Sequence, residues 1–296
     1  MQASREQQTA EKGEGDPAMA STVQRLDDEA QANLQDPAFW QKVLENLMNT
    51  FVCPYVKRRQ DSGELPVPFV ISAAKVLLPP DERPIQVTIN NEVTALADMR
   101  LRPESEKGAG DLIFSDDLEW FGNFRPTEDD DPNCGYIIML MLDGRWYLSF
   151  SFIYNKALSL QHLELAKQFL TTAEFALANN FISVFVDNLF SANELSVKAL
   201  MLGYRSDLRN AKKHTAFSAA FNQFANFGNV EPVHQATFNS LSIFRRDARY
   251  MRADVDVTVD QALEWLASVR AFLAEIEGQL VEVGRVQVRS FTRIAP

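Results

Sequence analysis

The chain has 296 residues, 46% of them hydrophobic, which is enough for one large domain or two ordinary ones with real cores. No apolar run is long enough to span a bilayer, and the polar stretch Met1 to Ala20 lacks the apolar segment of a secretion signal. Cys53 and Cys134 fit no metal or redox spacing, so the expectation is a cytoplasmic protein with no membrane association, no metal and no cofactor.

A net charge of −11 argues globally against a nucleic-acid partner, but the charge is unevenly distributed. Residues 1–140 carry 13 lysines and arginines against 25 acids, whereas residues 141–296 carry 16 against 15. The basic residues of the second half are bunched. Arg205, Arg209, Lys212 and Lys213 form one group, and Arg245, Arg246, Arg249 and Arg252 another. Local clusters of this kind set the field a phosphate meets. Solvated helix faces produce the same pattern.

Residues 1–35, rich in Gln, Glu, Asp, Ala and Gly, read as a disordered acidic leader. Asp36-Pro37 opens a helix expected to run to about Arg58, with Phe39, Val43, Leu47 and Phe51 at helical spacing. Strand signals follow in Val67–Leu78, Ile85–Ile89, Val93–Leu101, Asp111–Phe114, Tyr136–Leu142 and Trp146–Tyr154, with 103–110 and 123–134 as loops. Asp143-Gly144 is a two-residue hairpin turn. The alternation through Trp146 to Phe152 predicts one wet face. The acidic run Glu128 to Asp131 lacks the glycine and ligand alternation of a calcium loop and reads as solvated.

Five helices are predicted next: about Leu158–Asn179, Phe181–Leu202, Ala211–Asn226, Pro232–Arg252 and Val259–Val283, with Arg285 to Ile294 as a short terminal strand. The fold class is therefore α+β. A disordered leader (1–35) precedes an antiparallel β-rich domain (36–156) and a helical bundle (157–296).

The stretch Arg209-Asn210-Ala211-Lys212-Lys213-His214 carries the chemistry. A guanidinium and an imidazole that meet at a phosphodiester suffice for cutting RNA without a metal. On one continuous helix a five-residue step leaves the two side chains about 140° apart. Either Arg209 stands in the loop before the helix, with Asn210 as the cap, or two chains of a dimer each supply one member. His214 in a first helical turn favours the neutral ring that a general base needs. Against this, His214, Phe217, Phe221 and Phe224 share one apolar stripe, as a structural histidine would.

Asp187, Ser191, Glu194 and Lys198 form a polar face on the second helix, either an ordinary ion pair or a lining that orients the Arg or His. Arg245, Arg249, Arg252 and Tyr250 offer phosphate forks and a stacking ring, and the arginines equally suit carboxylates such as Asp187 or Glu194. No phosphate-binding glycine loop, dinucleotide fingerprint or nucleophile elbow is present, and the three histidines and two cysteines make no zinc site.

Residues 157 to about 283 resemble a HEPN domain (higher eukaryotes and prokaryotes nucleotide-binding). The resemblance is carried by Asp187-Asn188-Leu189-Phe190-Ser191-Ala192-Asn193-Glu194-Leu195-Ser196-Val197-Lys198-Ala199-Leu200, by Lys213-His214-Thr215, and by Leu241, Arg245 and Ala248-Arg249-Tyr250. Catalytic members carry Arg, four to six intervening residues and then His, often with a polar residue directly after the Arg, a pattern that Arg209, Asn210 and His214 match. The resemblance implies metal-independent endoribonuclease action at a homodimer interface, of the kind found in bacterial toxins and phage-defence effectors, with RNA as substrate. It also implies an alternative, because two helices follow the motif here. Relatives with a Lys/Thr-His start at this point serve in dimerisation or in nucleotide or partner binding without catalysis. The acidic N-terminal domain would then sense or restrain, or bind a protein partner.

Overall fold

The computed structural model describes residues 36–210, 214–250, 257–282 and 289–292. The leader, Lys212, Lys213 and Arg252 lie outside the described residues.

Helix α1 (Pro37–Leu47) begins as its sequence dictates, with proline in the first turn and the Asp36 carboxylate accepting from the Ala38 amide at 2.9 Å. It continues through a π-turn (Met48–Val52) into α2 (Cys53–Asp61). Pro54 has no amide to offer the preceding turn, and the looser i→i+5 pattern absorbs it, with the Cys53 amide bonding the Met48 carbonyl. The expected single helix to Arg58 is thus longer and interrupted.

Strands β1 (Ala73–Leu78), β2 (Gln86–Ile89), β5 (Gly135–Leu142), β6 (Arg145–Ser151) and β7 (Arg289–Thr292) form an antiparallel sheet in the order β2-β1-β5-β6-β7. Asp143 and Gly144 both take positive φ in the β5–β6 hairpin, as its tight turn requires. β7 pairs antiparallel with β6 at the edge of the sheet.

β3 (Leu96–Leu101) and β4 (Leu118–Arg125) form a separate two-stranded ribbon. β4 corrects the sequence reading, which placed a strand at Asp111–Phe114 and began a loop at residue 123. Gly122-Asn123 is an irregularity inside the strand, where Asn123 sits at φ 51° and the register slips against β3.

The ribbon also removes the wet face expected for β6. One side of the main sheet (Ala74, Val76, Ile137, Met139, Trp146, Leu148) packs on α1 and α2 through Leu44, Val52 and Val56. The other side (Leu77, Tyr136, Ile138) packs on Phe124 of β4. Ser149 is fully buried there and donates to the Phe124 carbonyl at 2.7 Å, so a serine that alternation assigns to water is satisfied inside a second layer.

Helices α3 (Lys156–Ala178), α4 (Ile182–Tyr204), α5 (His214–Asn226), α6 (Pro232–Tyr250) and α7 (Val259–Glu282) build the bundle. α4 is its axis, buried on nearly every side from Phe185 to Gly203. Phe221 at its centre meets Phe238 and Phe272 at centroid distances of 5.1 and 5.8 Å. The architecture is α+β: an antiparallel strand region followed by helices.

The two parts are locked at a short junction. Ile153 joins the bundle core, the Tyr154 amide donates to the Gly203 carbonyl at 2.8 Å, and the Asn155 side chain donates to the Leu202 carbonyl at 3.2 Å. Asn133 accepts from the Asn155 and Ala157 amides, tying the loop before β5 to the start of α3.

Candidate functional site

A one-turn 3-10 helix, Ser206–Asn210, links α4 to α5. Arg205 is clamped to Asp207 by two hydrogen bonds of 2.9 Å, and Leu208 is buried in the bundle core. The next residue, Arg209, therefore faces outward. It stands on its own turn rather than on α5, so the phase conflict of a continuous helix does not arise. Its Nη1 lies 3.2 Å from Oδ2 of Asp81 in the β1–β2 loop. Asp81 Oδ1 also accepts from Arg83 Nε at 2.6 Å, and Arg83 Nη1 reaches Asp131 at 2.9 Å. The Asp81 carboxyl is held below its usual range, chiefly by the Arg83 hydrogen bond, with a smaller contribution from the Arg209 charge. These pairs are about a third exposed, so water and salt screen them and the Arg209–Asp81 contact is weak enough to exchange.

α5 starts at His214, at the positive end of its helix dipole. The side chains of Asn210, His214 and Tyr250 lie outside those described. Downstream on α5, Phe217 and Phe221 are buried and Phe224 packs against the same core, so these three positions of the predicted stripe face inward. The other histidines are structural in their surroundings. His234 is 4% exposed, with Nδ1 at 3.1 Å from the Ser268 hydroxyl and its ring 4.9 Å from Phe272.

The polar face of α4 divides in two. Asp187 Oδ1 takes Arg245 Nε at 3.2 Å and Arg249 Nε at 3.9 Å, and the Arg245 guanidinium lies 4.4 Å from the Phe190 ring centre. Arg245 thus has a carboxylate and an aromatic face already, while Arg246 and Arg249 are exposed. Glu194 and Lys198 are half-buried farther along α4.

His162 on α3 lies near enough to Lys198 to feel its charge. Burial first, and that charge second, hold the imidazole below its ordinary value of 6.5. The fold therefore favours the neutral ring. Its contribution is fully present above pH 6.5 and is lost as the pH falls through the depressed folded-state value. Thermal melts of wild type and His162→Gln should accordingly keep a constant offset above pH 6.5, and wild type should lose stability relative to the variant on acidification; parallel curves throughout would refute this.

Sequence reasoning overlooked Asp81 and Arg83. The segment Pro79-Pro80-Asp81-Glu82-Arg83-Pro84 carries only a loop signal, and nothing local marks a contact with Arg209, 128 positions away.

Residues 159–279, which span most of the bundle of α3 to α7 in the C-terminal half, match the HEPN domain family. That superfamily contains both ribonucleases and non-catalytic members. No curated protein matches the chain. Among the described residues, no helix is long and apolar enough to cross a membrane.

Proposed function

Proceeding from the match of the C-terminal helices to the HEPN domain family, we propose that this protein is a metal-independent endoribonuclease of the toxin or phage-defence type, working in the cytoplasm as a homodimer. Arg209 of one subunit and His214 of the other form the composite site. The observation that carries this reading is the placement of Arg209 on an exposed turn of its own, five residues before His214, the first residue of α5.

The neutral His214 ring takes the proton from an RNA 2′-hydroxyl. The 2′-oxygen then attacks the adjacent phosphorus, and the bond to the 5′-oxygen breaks. Arg209 holds the phosphate and stabilises the charge that develops on its oxygens. The products are a 2′,3′-cyclic phosphate and a 5′-hydroxyl, the latter protonated by the imidazolium or by solvent. Asn210 supplies the polar position after the arginine. Lys212, Lys213 and the exposed Arg249 draw the RNA backbone in. Cleavage of bulk RNA in excess EDTA with cyclic-phosphate ends is the expected activity, and RNA left intact under those conditions counts against it.

In this arrangement Asp81 sits where a phosphate oxygen would. A surface pair of this kind is worth about 0–1 kcal/mol, so its loss changes an equilibrium by at most roughly fivefold. Asp81→Asn should raise the initial cleavage rate by a factor within that range, most visibly at low salt. An unchanged or slower rate would show that Asp81 exerts no restraint.

The second reading, a non-catalytic module for dimerisation or for nucleotide or partner binding, draws on position 214 falling in phase with the core stripe of Phe217, Phe221 and Phe224. It predicts that His214→Ala lowers the melting temperature by several degrees and affects no RNA-directed activity.

A further inference from the structure

A cavity of about 350 Å³ opens where the sheet meets the bundle, at the low end of volumes that hold small ligands. It is walled by the loop from Arg125 to Pro132, by the start of β5 (Tyr136), by Ile153 after β6 and by Lys156, the first residue of α3. Three features distinguish it from a surface dent.

The loop wall is fixed. Lys75, 4% exposed, reaches across from β1 and binds both oxygens of Asp130 at 2.8 Å, while Asp130 also accepts from the amide and hydroxyl of Thr127. A wall held this way needs no ordering when a ligand arrives.

Two of its three acids are already committed, and the third, Glu128, is exposed at the solvent side of the loop. Asp130 is spent on Lys75, and Asp131 accepts from Arg83 and from the Asn133 amide. Arg125 in turn is bound to Asp98 at 2.7 Å. The charges of these lining groups are therefore offset by partners in the protein.

Lys156 is not offset. Its ammonium is half-buried, lines the cavity, and has no carboxylate or hydrogen-bond partner among the described residues. Burial pushes it below the usual lysine range, the mark of a cation removed from water without compensation. Beside it the Ile153 side chain and the Tyr136 ring offer an apolar floor.

We propose that this cavity binds a compact organic anion, a phosphate or carboxylate on a ring-sized apolar body, whose anionic group pairs with Lys156. The ring lies against Ile153 and Tyr136. The site is independent of the ribonuclease reading, although Asp131 in its wall begins the chain Asp131–Arg83–Asp81–Arg209 that ends at the candidate active site.

Isothermal titration of the full chain tests it, with phenyl phosphate and phenylacetate as probes of the two sources of charge and inorganic phosphate as the ringless control. At least one ring-bearing probe should bind saturably at millimolar concentration or below, and tighter than inorganic phosphate. Lys156→Met should weaken it tenfold or more while leaving the melting temperature equal or higher, because an uncompensated charge has gone. Lys156→Arg should keep the binding and abolish its decline at alkaline pH. Failure of both ring-bearing probes, undiminished binding by Lys156→Met, or inorganic phosphate binding as tightly as phenyl phosphate would each overturn the proposal.

Discussion

Replacing His214 with alanine is expected to slow RNA cleavage in EDTA by about 10²- to 10⁴-fold, the range for losing a positioned general base. Arg209→Ala should cost a comparable factor of about 10²–10³, as removal of a donor to a developing oxyanion does. The two losses have different physical origins and different signatures. Without His214 the residual rate should rise with added imidazole or hydroxide, because a proton acceptor is missing. Without Arg209 it should depend less on salt, because a phosphate contact is missing. In both variants the melting temperature should stay close to that of wild type, since Arg209 makes only one partly exposed ion pair and position 214 begins its helix rather than lying inside it. A matching rate in wild type and His214→Ala would end the catalytic reading. A large fall in melting temperature for that variant would favour the packing role instead.

Asp130→Ala should destabilise the protein by about 3–5 kcal/mol, or roughly 10 °C in melting temperature. Lys75 projects from the middle of an apolar strand, Ala-Ala-Lys-Val-Leu-Leu, onto the ribbon side of the sheet, where its side chain is 5% exposed and Asp130 is its counterion. Removing the carboxylate leaves an ammonium buried with, among the described residues, the Thr94 hydroxyl as its remaining side-chain partner. The double variant Lys75→Met/Asp130→Ala should recover most of the loss, because methionine fills the same channel without a charge. Denaturant melts of both variants check this. A single-variant loss below 1 kcal/mol would mean that water reaches the lysine after all.

The helices were legible because each carries a wide apolar stripe at helical spacing, and the predicted ranges differ from the observed ones by a few residues. What could not be read is what depends on a second layer. β4 is hidden because its last residues, from Asn123 on, carry a loop signal, and they are held in the strand from outside it, as where Asp98 on the neighbouring strand accepts from the Asn123 side chain at 2.9 Å. Ser149 looks solvated until the ribbon covers it. The same holds at the site. The spacing from Arg209 to His214 is written in the sequence, and the buried Leu208 anchors the turn that carries Arg209. The partners of these groups, by contrast, come from distant segments: Asp81 for Arg209, Asp187 for Arg245, and the junction walls for Lys156. Local pattern names the reactive groups, and only the tertiary fold names what holds them.

The composite nature of the site is open to one direct measurement. Arg209→Ala and His214→Ala proteins, each inactive alone, are mixed after subunit exchange and assayed on RNA in EDTA. A site shared between subunits regains one working centre per mixed dimer, so about a quarter of wild-type activity should return. A mixture as silent as its components, beside a wild type that cleaves, would contradict it.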